Sequence, residues 1–223
     1  MSHSRRLVVC CDGTWQSSVT WRENIPSNVT KLCRVIARDG VDEDDKSKLI
    51  QQIVYYDSGI GTGSLSSFEK SRQGGLGDGL TENVIEAYNF IVNNYEAGDE
   101  IFCFGFSRGA YTARAVAGLV TDIGVIKPQH MQDFPEIYLA YKLHGSTKVR
   151  ETTAWQDIFK RNLDKTEGNE EEARLDFPNS NKVKVVGVWD TVGALGVPDG
   201  RWKDNSGWRK QYAFHNVKLG TSE

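Results

Sequence analysis

The residues best placed for chemistry lie in the pentapeptide Gly105-Phe106-Ser107-Arg108-Gly109. It closes the apolar run Ile101 to Phe106 and opens a segment in which small residues recur at helical spacing. A serine on a sharp turn between a strand and a helix projects its hydroxyl above the sheet, where it can attack a carbonyl carbon. Gly105 and Gly109 would let strand and helix approach closely, because neither carries a Cβ atom. The pattern predicts a nucleophilic Ser107; the alternative is an ordinary turn that starts a helix.

A nucleophilic serine also needs hydrogen-bond donors for the oxyanion that forms during attack. The Arg108 N–H would open the predicted helix, where backbone donors are unpaired and the helix dipole is positive. The loop after the first predicted strand is where a second donor is expected, from the N–H of Gly13 or Thr14. Asp12 would hold this loop open towards Ser107 by bonding loop N–H groups, or it is a simple turn cap.

An acid and a base are expected after the serine in the chain, in the order serine, acid, histidine. Asp190 closes the predicted strand Lys182 to Trp189 and is the candidate acid; a turn aspartate bonded to its own backbone is the alternative. His215 is the histidine that follows Asp190, so it is the candidate base, against the alternative of a histidine satisfied by backbone groups. Eight residues follow His215, too few for a helix of average length. This favours a chain that lacks a C-terminal portion and in which His215 does not reach Ser107.

The elements that must position these residues alternate along the chain. Strands are predicted at Leu7 to Cys11, Lys48 to Tyr56, Ile101 to Phe106 and Lys182 to Trp189, and a helix begins at Thr81 as its N-cap. This alternation predicts a doubly wound, mostly parallel α/β sheet of the α/β-hydrolase type, with the loops that carry the site at one edge. We expect a single domain over residues 1–223. Residues 126–181 would be a helical insertion that acts as a lid or packs on the core.

The composition excludes several classes of protein. A net charge of −3, with 39% apolar and 26% charged residues, is ordinary for a soluble globular chain. The absence of a basic block argues against nucleic acid as a partner. The longest early apolar run, Leu7 to Cys11, is too short for a membrane span or a signal peptide, which predicts a cytoplasmic protein. The four cysteines form no C-x-x-C pair, so neither a metal site nor a disulfide framework is expected. A serine hydrolase needs no cofactor, and none is expected.

Two phosphate-related hypotheses are weaker. Asp12-Gly13-Thr14 resembles the end of the D-x-D-G-T motif of aspartate-based phosphatases, but Cys10 stands where the attacking aspartate would be. The glycines at 59–63 and 74–79 lack the G-K-[ST] ending of a phosphate loop. A loop that borders the pocket is the favoured interpretation of these glycines.

Several segments together resemble a known family. They are Asp12-Gly13-Thr14-Trp15, Ser58-Gly59-Ile60-Gly61-Thr62, Gly105 to Tyr111 with Arg114, and Val188 to Gly193. They are similar to an uncharacterised α/β-hydrolase family of fungi and bacteria that is related to type VI secretion phospholipase effectors. The resemblance covers nearly the whole chain. It implies an esterase or phospholipase with Ser107 as nucleophile and an aspartate and a histidine as partners. In that family a His-, Ala- and Leu-rich segment follows the Asp-Thr-Val-Gly motif, and Glu223 precedes any such segment here.

The leading hypothesis is therefore a serine hydrolase that cleaves a carboxylic ester through an acyl-enzyme at Ser107. Its expected substrate is a lipid or another acylated small molecule. The rival hypothesis is a hydrolase-like binding module that kept the serine turn but lacks a working base.

Overall fold

The computed structural model describes residues 4–13, 26–42, 44–58, 76–143 and 148–189, and for residues 76–80 the backbone alone. The strands are β1 (Arg6–Cys11), β2 (Asp39–Val41), β3 (Leu49–Asp57), β4 (Glu100–Phe106) and β5 (Val185–Trp189). The α-helices are α1 (Asn28–Val35), α2 (Leu76–Asn94), α3 (Arg108–Ile123), α4 (Phe134–Leu143), α5 (Thr153–Lys165) and α6 (Glu170–Ala173). Short 3-10 helices, Pro128–Asp133 and Val149–Glu151, precede α4 and α5.

The order of the strands creates a crevice at one edge of the sheet. The order is β2-β3-β1-β4-β5, and the neighbours run parallel except for β2, which is antiparallel to β3. The chain leaves β1 towards β3 and later crosses to β4 on the other side of β1, so the loops after β1 and β4 diverge. Open α/β sheets bind ligands at such a switch point, at the carboxyl ends of the strands. The residues that follow Cys11 and Phe106 occupy this position.

Different helices cover the two faces of the sheet, because successive residues of a strand point to opposite sides. Leu7 and Val9 of β1 belong to the main core, which α2 and α3 cover. Val8 and Cys10 point to the other face and pack with Val29 of α1. The result is an α/β architecture, as the alternation of strands and helices predicted.

The predicted strands agree closely with the observed ones. β1 and β4 each begin one residue before the predicted segment, and β3 is shifted by one residue at both ends, whereas β5 begins at Val185 rather than Lys182. The small-residue face predicted for the helix after β4 is also present, since Ala110, Ala113 and Ala117 of α3 are buried. Local patterning therefore located the strand-turn-helix unit that carries Ser107.

The predicted start of helix α2 is wrong. Thr81 was expected to be its N-cap, but α2 begins at Leu76 and Thr81 lies inside it. Gly77 and Gly79 were expected to lie in a loop, but they belong to this helix, although each costs about 1 kcal/mol of helix propensity relative to alanine. Tertiary packing commonly overrides a propensity of this size, and the helix extends through both glycines.

Sequence patterning missed helix α1 and strand β2. A signal for α1 is present: Ser27 caps the helix by accepting a hydrogen bond from the Thr30 N–H at 2.9 Å. Val29, Leu32 and Cys33 follow at helical spacing and lie in or against the second core. β2 has three residues, too few for a reliable alternating pattern.

The two ends of the helical segment between residues 126 and 181 lie side by side and are joined by backbone hydrogen bonds. The Lys127 N–H donates to the Leu175 carbonyl at 2.7 Å, and the Phe177 N–H donates to the Val125 carbonyl at 2.9 Å. Phe134 of α4 stacks on Tyr88 of α2 with 5.1 Å between ring centroids. The apolar residues of α4 and α5 thus join the main core rather than forming a core of their own.

Candidate active site

Ser107 occupies the turn between β4 and α3 in an unusual backbone conformation. Its φ of 54° and ψ of −119° lie in a region that residues with a side chain rarely adopt. Ser107 is the N-cap of α3, but its side chain makes no capping hydrogen bond. Its N–H donates to the Trp189 carbonyl of β5 at 3.0 Å, and its own carbonyl accepts from the Ala110 N–H at 3.0 Å. Backbone bonds therefore hold the turn, and the Ser107 hydroxyl is not used to cap the helix.

The two glycines that flank Ser107 allow strand and helix to approach each other. A Cβ atom on Gly105 would overlap the carbonyl oxygen of Gly109 and lie 2.6 Å from the Ala110 Cα. A Cβ on Gly109 would overlap the Cys11 carbonyl oxygen and lie 2.5 Å from that of Asp12. Both contacts are with backbone atoms, which cannot move without shifting a strand or a helix. Glycine is required at both positions for this geometry.

The loop after β1 lies directly beside the serine. A Cβ on Gly13 would be 3.1 Å from the Ser107 Cβ and 2.8 Å from the Phe106 Cδ1. The Gly13 N–H, one of the two expected oxyanion donors of this loop, instead donates to Asp12 Oδ1 at 2.8 Å. In this conformation it is committed to that carboxylate. The other donor considered, Thr14, lies outside the described residues.

Asp12 is a buried carboxylate that joins three elements of the fold. Only 1% of the residue is exposed. Its Oδ2 accepts hydrogen bonds from the hydroxyls of Ser27 at 2.7 Å, Thr30 at 2.7 Å and Tyr56 at 2.8 Å. Its N–H donates to the Asp57 carbonyl at 2.9 Å. The carboxylate thereby ties the end of β1 to the beginning of α1 and the end of β3.

The hydroxyl residues around Asp12 were not identified from the sequence. Ser27 and Thr30 carry a recognisable signal, because a serine three residues before a threonine at the start of an apolar periodic segment is typical of a helix N-terminus. Tyr56 carries no such signal, because a tyrosine in a strand cannot be assigned a carboxylate partner from its sequence position alone. Asp12 was expected to bond N–H groups of its loop, and hydroxyls from elsewhere supply three of its partners.

The predicted acid and base of the triad come after β5 in the chain. Asp190 and His215 both lie outside the described residues. Trp189, which immediately precedes Asp190, is bonded to Ser107 through its carbonyl. The described residues therefore bring together Asp12, Gly13, Ser107 and the start of α3. The last of them, Trp189, immediately precedes the candidate acid in the sequence.

Two thiols beneath the site are not competing nucleophiles. Cys11 and Cys103 are fully buried in neighbouring strands. Burial raises the pKa of Cys103 to about 12 and raises the pKa of Cys11 well above its ordinary value. Both therefore stay protonated near neutral pH, and a thiol is a weak nucleophile until it ionises.

Two other features would point to a different kind of site, and the described part of the chain has neither. No group of three or more histidine, cysteine or acidic side chains within it is arranged to hold a metal ion. None of its helices has the length and apolar character needed to cross a lipid bilayer.

Comparison with known proteins places the chain in a family. The family described as "T6SS, Phospholipase effector Tle1-like, catalytic domain" matches residues 5–222. The uncharacterized protein YEL023C of Saccharomyces cerevisiae is 26% identical over 215 residues, which is 88% of this chain and 28% of the relative. The chain thus spans less than a third of that relative's length. No solved structure matches the chain significantly. The match confirms the resemblance drawn from the sequence motifs, and this chain belongs to the Tle1-like phospholipase effector catalytic-domain family of the type VI secretion system.

Proposed function

We propose that this protein is a serine hydrolase that cleaves a carboxylic ester of a phospholipid or a related acylated substrate, with Ser107 as nucleophile. The observation that carries the proposal is the backbone of Ser107, with φ 54° and ψ −119° at a strand-to-helix turn. Such strain persists where the surrounding structure imposes it, and it clusters at active sites. The family supplies the second support, because its description names a phospholipase catalytic domain.

The proposed reaction begins with attack of the Ser107 hydroxyl oxygen on the ester carbonyl carbon. A histidine that follows Asp190 in the chain would take the hydroxyl proton and pass it to the leaving alcohol, with Asp190 orienting the imidazole; His215 is the candidate within residues 1–223. The Arg108 N–H at the start of α3 would stabilise the oxyanion, with the Thr14 N–H as the second donor. Water then attacks the acyl-enzyme and releases the fatty acid. This scheme requires no cofactor, and it assigns the fold to the α/β-hydrolase type.

Asp12 has a supporting role in this proposal. It touches no substrate, but its bonds to Gly13, Ser27 and Tyr56 hold the loop after β1 against Ser107. By holding this loop in place, the same bonds would also orient the backbone N–H groups that serve as oxyanion donors. Asp12 is therefore a positioning residue.

Labelling with a fluorophosphonate probe tests the nucleophile directly, since the probe reacts with activated serines. We expect the native protein to be labelled and Ser107→Ala not to be labelled, with the fold of both verified by circular dichroism. Ser47→Ala is the matched control, because Ser47 bonds Asp45 in an exposed turn away from the site. Equal labelling of native protein and Ser107→Ala would exclude Ser107 as the nucleophile.

The base is tested separately, because a chain without one would be the binding module considered as the rival. Because His215 is not expected to reach Ser107, His215→Ala should leave the rates of labelling and ester turnover unchanged. A fall by several powers of ten, the usual result of losing one triad member, would show that His215 is the base. A native protein that binds phospholipid vesicles, but whose Ser107 is neither labelled nor acylated, would favour the binding module.

A further inference from the structure

The guanidinium of Arg108 is half-buried and lies next to the proposed nucleophile. Its Nη1 atom is buried and has no hydrogen-bond partner among the described residues, and none of their carboxylates forms a salt bridge with it. Five arginines of the described chain pair with acids: Arg5 with Asp99, Arg6 with Glu100, Arg150 with Asp176, Arg161 with Glu136, and Arg174 with Asp176. Arg108 instead stands at the carboxyl edge of the sheet, where open α/β folds usually bind ligands.

A second unmatched donor lies one helical turn further along α3. Thr112 is 1% exposed, and its hydroxyl has no hydrogen-bond partner within the residues described. Residues four apart share a face of a helix, so Arg108 and Thr112 are neighbours on α3. Most buried polar groups of native proteins are satisfied by protein or ordered water. Two unmatched donors on one helix face, beside the strained serine, point to a bound acceptor.

The chemistry of arginine identifies the class of that acceptor. A buried N–H group without an acceptor is costly, and when it belongs to a cation it is normally met by an acceptor of opposite charge. The planar guanidinium offers parallel N–H donors that match the oxygens of a phosphate or a carboxylate. A phosphate group also has enough acceptor oxygens to engage a second donor such as the Thr112 hydroxyl.

We infer that the Arg108 guanidinium binds the phosphate of the substrate, and so makes this site selective for phospholipids over uncharged esters with the same acyl chains. The inference rests on the proposed function, because it takes Ser107 as the nucleophile. Adjacent Cα atoms are about 3.8 Å apart, so the Arg108 side chain starts beside the reacting serine. In a phospholipid the ester carbonyl and the phosphate are linked through the glycerol backbone alone. One substrate can therefore reach both groups.

A comparison of two substrates tests this selectivity. Dihexanoyl phosphatidylglycerol and dihexanoylglycerol carry the same esters and differ in the phosphate headgroup. We expect Arg108→Gln to lower the ratio of kcat/KM for the phospholipid over the uncharged ester by about tenfold or more, the typical effect of losing a charged hydrogen bond. Arg108→Lys should recover part of this ratio, since it restores the charge without the planar donors. Arg161→Gln, which removes a half-exposed arginine of α5, should leave the ratio unchanged. An unaltered ratio in Arg108→Gln would overturn the inference.

Binding to protein that cannot turn over separates this inference from the proposed function. In the Ser107→Ala background, calorimetry should show that dihexanoyl phosphatidylglycerol binds more tightly than dihexanoylglycerol, and that Arg108→Gln removes the difference. Titration with inorganic phosphate distinguishes a site for the free anion from one for the lipid headgroup. Phosphate binding as tight as that of the phospholipid would contradict a lipid site. Failure of Ser107 labelling with headgroup-dependent binding intact would overturn only the catalytic proposal.

The melting temperature of Arg108→Gln separates a substrate-binding role of Arg108 from a structural one, because the two roles predict opposite changes. Removing a buried N–H group that has no acceptor should leave the melting temperature of Arg108→Gln equal to or above that of the native protein. A clear fall would indicate a structural partner for Arg108 and contradict its assignment to substrate.

Discussion

The backbone of Gly109 lies directly against the carbonyl oxygen of Cys11, so that helix α3 and strand β1 meet without an intervening side chain. This contact sets the height of the helix above the sheet at the point where Ser107 turns the chain. Because both partners are backbone atoms, even a methyl group must push the helix away from the strand.

Gly109→Ala is therefore expected to lower the free energy of unfolding by about 1–3 kcal/mol, as overpacking usually does. It should also slow fluorophosphonate labelling of Ser107, because the turn is displaced. Gly118→Ala is the matched control on the same helix: its Cβ would meet only the Tyr141 hydroxyl, at 2.7 Å, at the movable end of a side chain. Urea unfolding and labelling rates measure both effects. Equal effects of the two variants would contradict this account of Gly109.

Replacing Asp12 by asparagine should loosen the loop beside Ser107. The variant keeps the shape of the side chain but removes the charge that three hydroxyls donate to. Hydrogen bonds to charged groups contribute about 1.5–3 kcal/mol, so a loss of at least about 2 kcal/mol of unfolding free energy is expected. Labelling of Ser107 should slow as well.

Tyr56→Phe provides a graded comparison for Asp12→Asn, because it removes one of these hydroxyls and leaves the carboxylate in place. Its cost should be about 1.5 kcal/mol, the lower end of the range for one hydrogen bond to a charged group, with a smaller effect on labelling. A larger loss of stability in Tyr56→Phe than in Asp12→Asn would show that the carboxylate does not organise the cluster.

His130 should make the fold sensitive to mild acid. Burial lowers the pKa of His130 from its ordinary 6.5; Lys127 and Lys165 lower it further, and Asp133 opposes them. The unfolded chain therefore takes up a proton at a higher pH than the folded protein does. The stability from neutral His130 is fully present above its unfolded pKa and is lost as the pH falls through the lower pKa of the folded state.

His130→Leu should remove this part of the pH dependence. Both ring nitrogens of His130 are buried without a partner in the described part of the chain, so the variant should be at least as stable as the native protein at neutral pH. Urea unfolding at about pH 7.5 and about pH 5.5 tests both statements. The same loss of stability in both proteins over that interval would exclude His130 as its source.

Cys33 should be the cysteine that reacts most readily with an alkylating reagent in the folded protein. Its pKa is lowered chiefly by a hydrogen bond from Cys10, and the residue is only half-buried. The pKa values of the buried Cys10, Cys11 and Cys103 are all raised. Peptide mapping by mass spectrometry after brief treatment with iodoacetamide should find Cys33 modified first. Faster modification of Cys103 would contradict this order.

The sequence by itself determined the unit that carries the candidate nucleophile. An apolar run, glycines at 105 and 109 and a periodic row of alanines are local signals, and they located β4, Ser107 and α3 correctly. The same signals located β1 and β3, because a buried parallel strand is an apolar run that ends at polar turn residues. The assignments of Asp190 and His215 rest on chain order and remain predictions.

Only the tertiary structure decided what surrounds the serine. The partners of Asp12 lie 15, 18 and 44 residues away in the chain, and strand order brings them to one point. The same is true of Gly13, whose place beside Ser107 depends on the parallel pairing of β1 with β4. The sequence offered the Gly13 N–H to the oxyanion, and the fold directs it to the Asp12 carboxylate. Propensity and spacing act over a few neighbouring residues, whereas the direction of a hydrogen bond depends on distant segments that packing brings together.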